Sequence, residues 1–211
     1  MSPADNRPLM QQLPGRYALV TGVSLASLVP LVLLLMGGLP AIHDWFLPHR
    51  LAAFWHQPWT LWTPSFVHYT PLHLGSNLCF WWYLGAQVER HGRLRLALLL
   101  MITAGISNAC QWFVAGPDFG GLSGVVYALL GYTWMWQRRA SRYQVDSFIA
   151  IALLALIPIT ATGAFGKYAN IAHLSGLIAG ALIAALESRW LRHNNDPVGT
   201  SADSKQGTKS S

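Results

Sequence analysis

Long apolar stretches alternate with short polar connections along most of the chain. Each stretch is close to the length of about 20 residues that a helix needs to cross a bilayer. The pattern therefore predicts an all-α, polytopic membrane protein in which residues 17–190 form one domain of six transmembrane helices. The predicted spans are residues 17–42, 69–88, 95–114, 121–137, 147–163 and 169–188.

Three segments do not have the pattern of a span. Residues 43–67 mix aromatic side chains with histidine, aspartate and arginine. Aromatic rings with a polar edge collect at the membrane–water interface, so this loop is predicted to lie in the interface. Residues 1–16 are predicted to be a short cytoplasmic N-terminus. Residues 191–211 are predicted to be a disordered cytoplasmic tail, because they are largely polar.

The basic residues indicate how the helices are oriented. With the N-terminus in the cytoplasm, 12 of the 14 lysines and arginines lie in cytoplasmic segments, and the other side keeps only Arg50 and Lys167. Cytoplasmic connections of membrane proteins carry this excess of positive charge. Both termini are therefore predicted to face the cytoplasm.

Composition agrees with lipid as the solvent of most of the chain. Hydrophobic residues make up 53% and charged residues 10%, whereas soluble domains carry about 25% charged residues. The net charge of +6 does not indicate nucleic-acid binding, because membrane topology already accounts for the basic residues. Cys79 and Cys110 lie inside apolar stretches without a CxxC spacing, so they indicate neither a metal site nor a disulfide framework.

Polar side chains inside spans are costly in lipid and are therefore candidates for function. His73 and Asn77 are four residues apart and share a helical face; alone, they fit an interhelical polar contact as well as a site. Ser123 follows Gly120 and Gly121 at the start of the fourth span. It can be a helix N-cap, or a nucleophile whose own N–H faces a developing oxyanion.

The sixth span carries His173 beside a face of small residues. Gly176 and Gly180 are four residues apart, a spacing that lets another helix approach closely. The fourth span has a matching small face that begins at Gly124. If the two faces meet, His173 comes within hydrogen-bond reach of Ser123, and a serine beside a base is the minimum for an activated nucleophile.

The carboxylates favour a catalytic dyad over a triad. None of the eight aspartates and glutamates lies near His173 within a span. Tyr127 shares the helical face of Ser123 and can hold the imidazole by stacking. The serine, the histidine, His73 and Asn77 all lie at similar depth on the outer side. They are therefore predicted to line a water-accessible cavity that opens away from the cytoplasm.

These motifs give the chain a resemblance to the rhomboid intramembrane serine proteases, most of all to the bacterial GlpG-type branch. The resemblance implies a six-helix rhomboid bundle in the bacterial inner membrane, with its active site open to the periplasmic side. It implies an endopeptidase that cleaves single-span membrane proteins through an acyl-enzyme, without a metal or cofactor. It covers residues from about Trp59 to Trp190, and its carriers are HLGSN (73–77), FWWYLGAQVE (80–89), GGLSGVVYALLGY (120–132) and AHLSGLIAG (172–180).

Carried over by motif, the resemblance implies a role for each candidate residue. Ser123 matches the nucleophile and His173 the general base. His73 and Asn77, together with the Ser123 backbone N–H, match the groups that stabilise the oxyanion. Tyr127 matches the tyrosine that packs on the catalytic histidine. The supporting glycines are Gly121, Gly124, Gly176 and Gly180.

The resemblance also implies roles for the loops between the spans, and this sequence departs from the family pattern in two places. Residues 43–67 match the interfacial first loop, and the fifth span with the 161–169 loop matches a lateral gate and cap. Thr60 stands where family members commonly have an arginine, and only 16 residues precede the first span, where GlpG-type proteins often carry a cytoplasmic domain. The first departure concerns the packing of the interfacial loop.

Three other functions stay open on the residues alone. A non-enzymatic relative that escorts membrane helices is expected to lack the serine or the histidine, and this chain has both. A metal-dependent protein using His68, His73 and His173 is expected to have a motif such as HExxH, which is absent. A small transporter is expected to have a coupling acid in mid-membrane, and none is present there.

Overall fold

A computed structural model describes residues 17–48, 50–140, 142–161 and 169–195, and within these ranges every regular element is helical. Two short 3-10 turns, Pro58–Leu61 and Thr63–Phe66, lie in the interfacial loop. The predicted 1–16 segment, most of the predicted tail and most of the 161–169 loop lie outside the described residues. The helices are α1 Ala18–Leu35, α2 Leu39–Phe46, α3 Ala53–His56, α4 Pro71–Phe80, α5 Ala86–His91, α6 Arg93–Ala115, α7 Ser123–Ala140, α8 Ser147–Ala161 and α9 Asn170–Asn195.

The described helices include three that are long and apolar enough to cross a membrane, namely α1, α6 and α9. A π-helical turn, Trp81–Gly85, joins α4 to α5, so the second predicted span is a single unit with one irregular turn. Helix α8 is shorter, with 15 residues. Helix α7 has 18 residues, and its last turn carries Arg138 and Arg139. The all-α membrane bundle is confirmed in this form, and the number of six spans stays a prediction.

Two helix boundaries differ from those expected. The first span was predicted to reach residue 42, but α1 ends at Leu35. Gly37 has a φ of +84°, and the amides of Gly37 and Gly38 fold back onto carbonyls of the last turn, which is how a glycine ends a helix. At the other end of the chain, α9 continues to Asn195, past the expected boundary at 190. Its last turn carries Arg192, whose charge suits a helix C-terminus.

The bundle is built around α7, in which every residue from Gly124 to Thr133 is buried. Helix α9 packs against it so closely that the glycines of α9 have no room for a side chain. A Cβ atom on Gly176 would collide with the carbonyl of Gly124, and one on Gly180 with the carbonyl of Ala128. The two small faces therefore meet, because neither helix has side chains to hold the other away.

A buried carboxylate fixes α1 to the bundle. Glu89, in α5, accepts hydrogen bonds from the backbone N–H groups of Leu19 and Val20, both at 2.9 Å. The first N–H groups of a helix have no partner within it, so Glu89 caps α1 from a different helix. Trp81 Nε1 also donates to the Val20 carbonyl at 3.0 Å. The start of α1 is thereby tied to the α4–α5 unit.

The loop of residues 43–67 contains short helices and is tied to α6. Asn108 Nδ2, in α6, donates to the Leu61 carbonyl at 2.9 Å and to Ser65 Oγ at 3.0 Å. Trp112 Nε1 donates to the Pro48 carbonyl at 2.6 Å. The loop therefore lies in a fixed position beside α6 rather than free of the bundle.

Thr60 is fully buried in that loop, and its hydroxyl donates to the Gln57 carbonyl at 2.7 Å. This hydrogen bond joins the 3-10 turn Pro58–Leu61 to its N-cap residue, Gln57. The loop is thus ordered here with threonine at the position where the resemblance leads one to expect arginine. Trp45 and Trp55 remain largely exposed on its surface, as interfacial tryptophans are.

Candidate active site

Ser123 and His173, which are fifty residues apart in sequence, lie side by side in the structure. Ser123 is the first residue of α7, and His173 lies in the first turn of α9. His173 Nε2 is 2.8 Å from Ser123 Oγ, the distance of a hydrogen bond. The close approach of the glycine faces brings the two helix starts together, so packing of the bundle sets this distance.

The imidazole of His173 is held on its face by Tyr127. The two rings are stacked, with centroids 4.6 Å apart and planes inclined by 24°. Tyr127 lies one helical turn after Ser123, and its hydroxyl donates to the Leu153 carbonyl in α8. Within the described residues, His173 Nδ1 is buried and has no hydrogen-bond partner. No hydrogen bond from a described carboxylate reaches the ring, so Ser123 and His173 form a pair beside an aromatic stack, as the predicted dyad requires.

The glycine-rich loop before Ser123 is fixed by the interfacial loop. The N–H of Gly121 donates to the Pro64 carbonyl at 3.0 Å, and a Cβ on Gly120 would lie only 2.6 Å from the Val67 carbonyl oxygen. Gly121 has a φ of +120°, which residues with a side chain rarely adopt. Gly121 is thus required by its backbone conformation, and Gly120 by the close approach of the Val67 carbonyl.

The space in front of Ser123 is bounded by His73. A Cβ built on Gly121 would lie 2.8 Å from His73 Nε2 and 3.7 Å from Ser123 Oγ, so both polar atoms border the same small volume. Because Ser123 begins α7, its backbone N–H has no acceptor in its own helix. His73 and Ser123, two of the residues predicted to supply oxyanion groups, therefore border one volume.

Asn77, the third of these groups, contacts the backbone of His73. It is buried on the same face of α4 as His73, and its amide donates to the His73 carbonyl at 2.9 Å. Among the described residues, no hydrogen bond joins Asn77 to Ser123. The role of Asn77 at the oxyanion therefore stays a prediction.

His68 supports the site, a role that the sequence does not indicate. It is fully buried just before α4, and its Nε2 accepts a hydrogen bond from the Leu122 N–H at 3.2 Å. Its Nδ1 lies 3.1 Å from the Phe66 carbonyl, so the proton is on Nδ1. Burial and the neighbouring His73 lower the pKa of His68 to about 4. A neutral His68 thus fixes the residue that precedes Ser123.

Gln111 is a second supporting residue that the sequence gave no signal for. Its Oε1, in α6, accepts a hydrogen bond from the Ala172 N–H at 3.1 Å. This contact fixes the residue before His173, just as His68 fixes the residue before Ser123. Both are single polar residues whose partners are distant in sequence, so only the assembled bundle reveals them.

The described residues contain no group of three or more histidines, cysteines, aspartates or glutamates that can hold a metal ion. The rings of His68 and His73 meet edge to face, with centroids 4.9 Å apart. The Nδ1 and Nε2 atoms of His68 are occupied by backbone groups. The three-histidine set considered from the sequence is therefore not arranged as a ligand set.

Comparison with known proteins now decides the family. A model of the rhomboid domain matches residues 55–190, which include every candidate residue described above. The chain belongs to the rhomboid family. It is 37% identical over 166 residues to a rhomboid protease GlpG of Yersinia pseudotuberculosis, covering 75% of this chain and 58% of that protein. It is 41% identical over 143 residues to a rhomboid protease GlpG of Photorhabdus laumondii, covering 65% and 50% respectively.

These relatives confirm the resemblance of this rhomboid to the bacterial GlpG type. The chain spans about half the length of the curated relatives it matches. The matched part extends over α4 to α9 and contains the two helix starts that carry Ser123 and His173.

Proposed function

We propose that this rhomboid is an intramembrane serine endopeptidase that cleaves the transmembrane segments of single-span membrane proteins. The observation that carries the proposal is the 2.8 Å contact between His173 Nε2 and Ser123 Oγ. It occurs at the start of two apolar helices, in a family whose matched members are named rhomboid proteases. A serine beside a base, in an otherwise apolar bundle, has a clear chemical use as an activated nucleophile.

The reaction is acyl transfer in two steps. His173 accepts the proton of Ser123 as Oγ attacks the scissile carbonyl, and the resulting oxyanion is stabilised by His73, Asn77 and the Ser123 N–H. His173 then gives the proton to the leaving amine, which leaves an ester on Ser123. Water attacks this ester with His173 again as the base, and the free serine is regenerated. Tyr127, rather than a carboxylate, keeps the imidazole in position for each transfer.

The substrate must expose a peptide carbonyl to this site. Carbonyls within a helix are already hydrogen-bonded, so the substrate segment must unwind before it reacts. Segments that contain helix-breaking residues and a small residue at the cleaved bond meet this requirement, as the family resemblance implies. Substrates are therefore other proteins of the same bilayer, and the reaction needs neither a metal nor nucleic acid.

The membrane topology is proposed on the same basis. Six spans are formed by α1, the α4–α5 unit, α6, α7, α8 and α9, with both termini in the cytoplasm of the bacterial inner membrane. Helix α7 runs from Ser123 to Arg138 and Arg139, and α9 runs from His173 to Arg192. Basic residues favour the cytoplasmic side. The opposite ends, which carry the dyad, then open to the periplasm.

Cleavage of a reconstituted substrate tests the proposal. The protein in liposomes is mixed with a single-span reporter that contains a helix-breaking residue, and the products are measured by gel and mass. Cleavage is expected in the wild type and in Ser175→Ala, a control that removes a hydroxyl bonded within α9. It is expected to be lost in Ser123→Ala and His173→Ala. Equal cleavage by the wild type and Ser123→Ala contradicts the proposal.

A further inference from the structure

The end of the bundle opposite the dyad carries a guanidinium that is held in place without an anion. Arg142 lies in the connection between α7 and α8, and its guanidinium carbon is 4.5 Å from the centre of the Trp136 ring. Its Nη1 atom is buried and has no hydrogen-bond partner among the described residues. The residue as a whole is only partly buried, so the rest of it can be reached from outside the bundle. A guanidinium fixed on an aromatic face in this way is ready to pair with an anion.

Arg139 is a second arginine on the same side of α7. It lies three residues after Trp136, so the two share a helical face, and its guanidinium donates to the Ser188 hydroxyl in α9. Trp136 Nε1 donates to Glu187, the residue before Ser188, at 3.3 Å. Arg139 and Arg142 therefore both lie where the end of α7 meets α9, and together they are called the arginine pair below.

The described carboxylates at this end of the bundle already have other partners. Glu187 Oε1 lies 2.8 Å from Arg95 Nη2, and Glu187 Oε2 accepts two hydrogen bonds from side chains of α7. Asp146 accepts two N–H groups at the start of α8, and Glu89 accepts two at the start of α1. Within the described residues, no ion pair joins a carboxylate to the arginine pair. Its two positive charges therefore repel each other unless an anion from outside the chain binds them.

A phospholipid headgroup is the anion that fits this position best. The guanidinium group matches the oxygens of a phosphate with two parallel hydrogen bonds. The surface next to the arginine pair is apolar, since Phe148 at the start of α8 is 80% exposed and Trp190 near the end of α9 is 63% exposed. A lipid can therefore place its phosphate on the arginines and its acyl chains along the apolar helices. Basic pockets between transmembrane helices bind lipid headgroups in this way.

We propose that the arginine pair binds the headgroup phosphate of an anionic phospholipid, in the leaflet at the end of the bundle opposite the dyad. The phosphate pairs with the accessible part of the Arg142 guanidinium, and Arg139 supplies the second positive charge. The assignment of this leaflet to the cytoplasmic side rests on the proposed topology, whereas the binding of lipid does not. Inorganic phosphate has the same oxygens but no acyl chains, so the experiment compares the two.

Native mass spectrometry of the detergent-purified full chain tests the proposal without any need for cleavage. The protein is mixed with equal amounts of a phosphatidylglycerol and a phosphatidylcholine that have the same acyl chains, and the retained lipid is identified by its mass. The wild type is expected to retain phosphatidylglycerol in preference. Arg142→Gln is expected to lower this retention about tenfold, as for one lost hydrogen bond to a charged group. Arg192→Gln is the matched control, since it removes the same charge from an exposed position in the last turn of α9.

Two further variants keep the test available if Arg142→Gln does not fold. Arg139→Gln is expected to lower the retention of phosphatidylglycerol as well, and Arg142→Lys, which keeps the charge, is expected to lower it less. Retention at the wild-type level in both glutamine variants overturns the proposal. An equal loss in Arg192→Gln also overturns it, because net charge alone then explains the binding. Displacement of phosphatidylglycerol by an excess of inorganic phosphate overturns it too, because the site then takes the free anion.

Discussion

Replacing Gly121 by alanine tests how tightly the space in front of Ser123 is built. The added Cβ would lie 2.8 Å from both Cε1 and Nε2 of His73, where ordinary carbon contacts begin at about 3.4 Å. Either the imidazole or the loop must move by more than half an ångström. The residue also has a φ of +120°, and such a conformation costs a residue with a side chain about 1–3 kcal/mol.

Catalysis is expected to fall through two effects of the added methyl group. In the proposed mechanism, displacing His73 removes one donor to the oxyanion, and removal of one such donor typically costs about 10²–10³ in rate. Because the methyl group also occupies the volume 3.7 Å from Ser123 Oγ, a bound carbonyl is excluded as well. We therefore expect fluorophosphonate labelling and reporter cleavage to fall at least about 100-fold. The free energy of unfolding in detergent is expected to fall by about 1–3 kcal/mol.

Gly75→Ala is the matched control for this prediction. Gly75 lies in α4, two residues from His73, and a Cβ there meets nothing within 4 Å. The control is expected to fold and to label as the wild type does. If Gly121→Ala labels as fast as Gly75→Ala, the assignment of His73 and the adjacent volume to the oxyanion is refuted.

Three further predictions concern packing, acid stability and metal dependence. Gly180→Leu should destabilise the protein by several kcal/mol in thermal unfolding, because the side chain enters the α7 backbone at Ala128, whereas Gly22→Leu has open space. Since the pKa of His68 falls to about 4 on folding, the unfolded chain binds the extra proton between about pH 6.5 and 4. Stability should therefore be complete above pH 6.5 and lower by about 2 kcal/mol at pH 5, with a smaller pH dependence in His68→Gln. Chelators should leave reporter cleavage unchanged.

Each of these predictions has a contradicting result. Equal melting temperatures for Gly180→Leu and Gly22→Leu would mean that α7 and α9 do not meet at Gly180. An acid dependence that is the same in wild type and His68→Gln would remove His68 from the account. Inhibition by a chelator that added zinc reverses would revive a metal-dependent mechanism.

The approach of Ser123 to His173 could be predicted because its sequence signals are local and repeated, whereas the roles of the two residues stay predictions. Gly176 and Gly180 define a small face by spacing alone, and a second small face after Ser123 lets the helices meet. Helical geometry then places His173 opposite Ser123, as the structure has it. This part was predictable since close helix packing leaves few ways to align two short glycine faces.

Other features depend on contacts that no local pattern encodes. In the sequence, Glu89 is an ordinary charged residue near a helix end. In the structure it accepts a hydrogen bond from the Leu19 N–H of α1, which is 70 residues away in sequence. His68 and Gln111 each satisfy one backbone N–H, next to Ser123 and next to His173 respectively, and many polar residues have such spacing without such a role. The contact between Tyr127 and Leu153 involves a backbone carbonyl, for which side-chain identity carries no signal.

The early end of α1 was visible in the sequence but outweighed by hydropathy. Gly37 and Gly38 followed by Pro40 are signals for a helix end. The surrounding residues stay apolar up to Ile42, so the hydrophobic pattern favoured a continuous span. Backbone conformation decided the outcome, because Gly37 adopts a φ of +84° that closes the helix.

The central claim is that Ser123 is a nucleophile activated by His173. The most direct measurement is reaction of the detergent-purified protein with a fluorophosphonate, followed by mass spectrometry of the labelled peptide. The account predicts one adduct on Ser123 in the wild type, and no adduct in Ser123→Ala or in His173→Ala. A folded wild-type protein that takes no label, or a label that persists in His173→Ala at the wild-type rate, would contradict it.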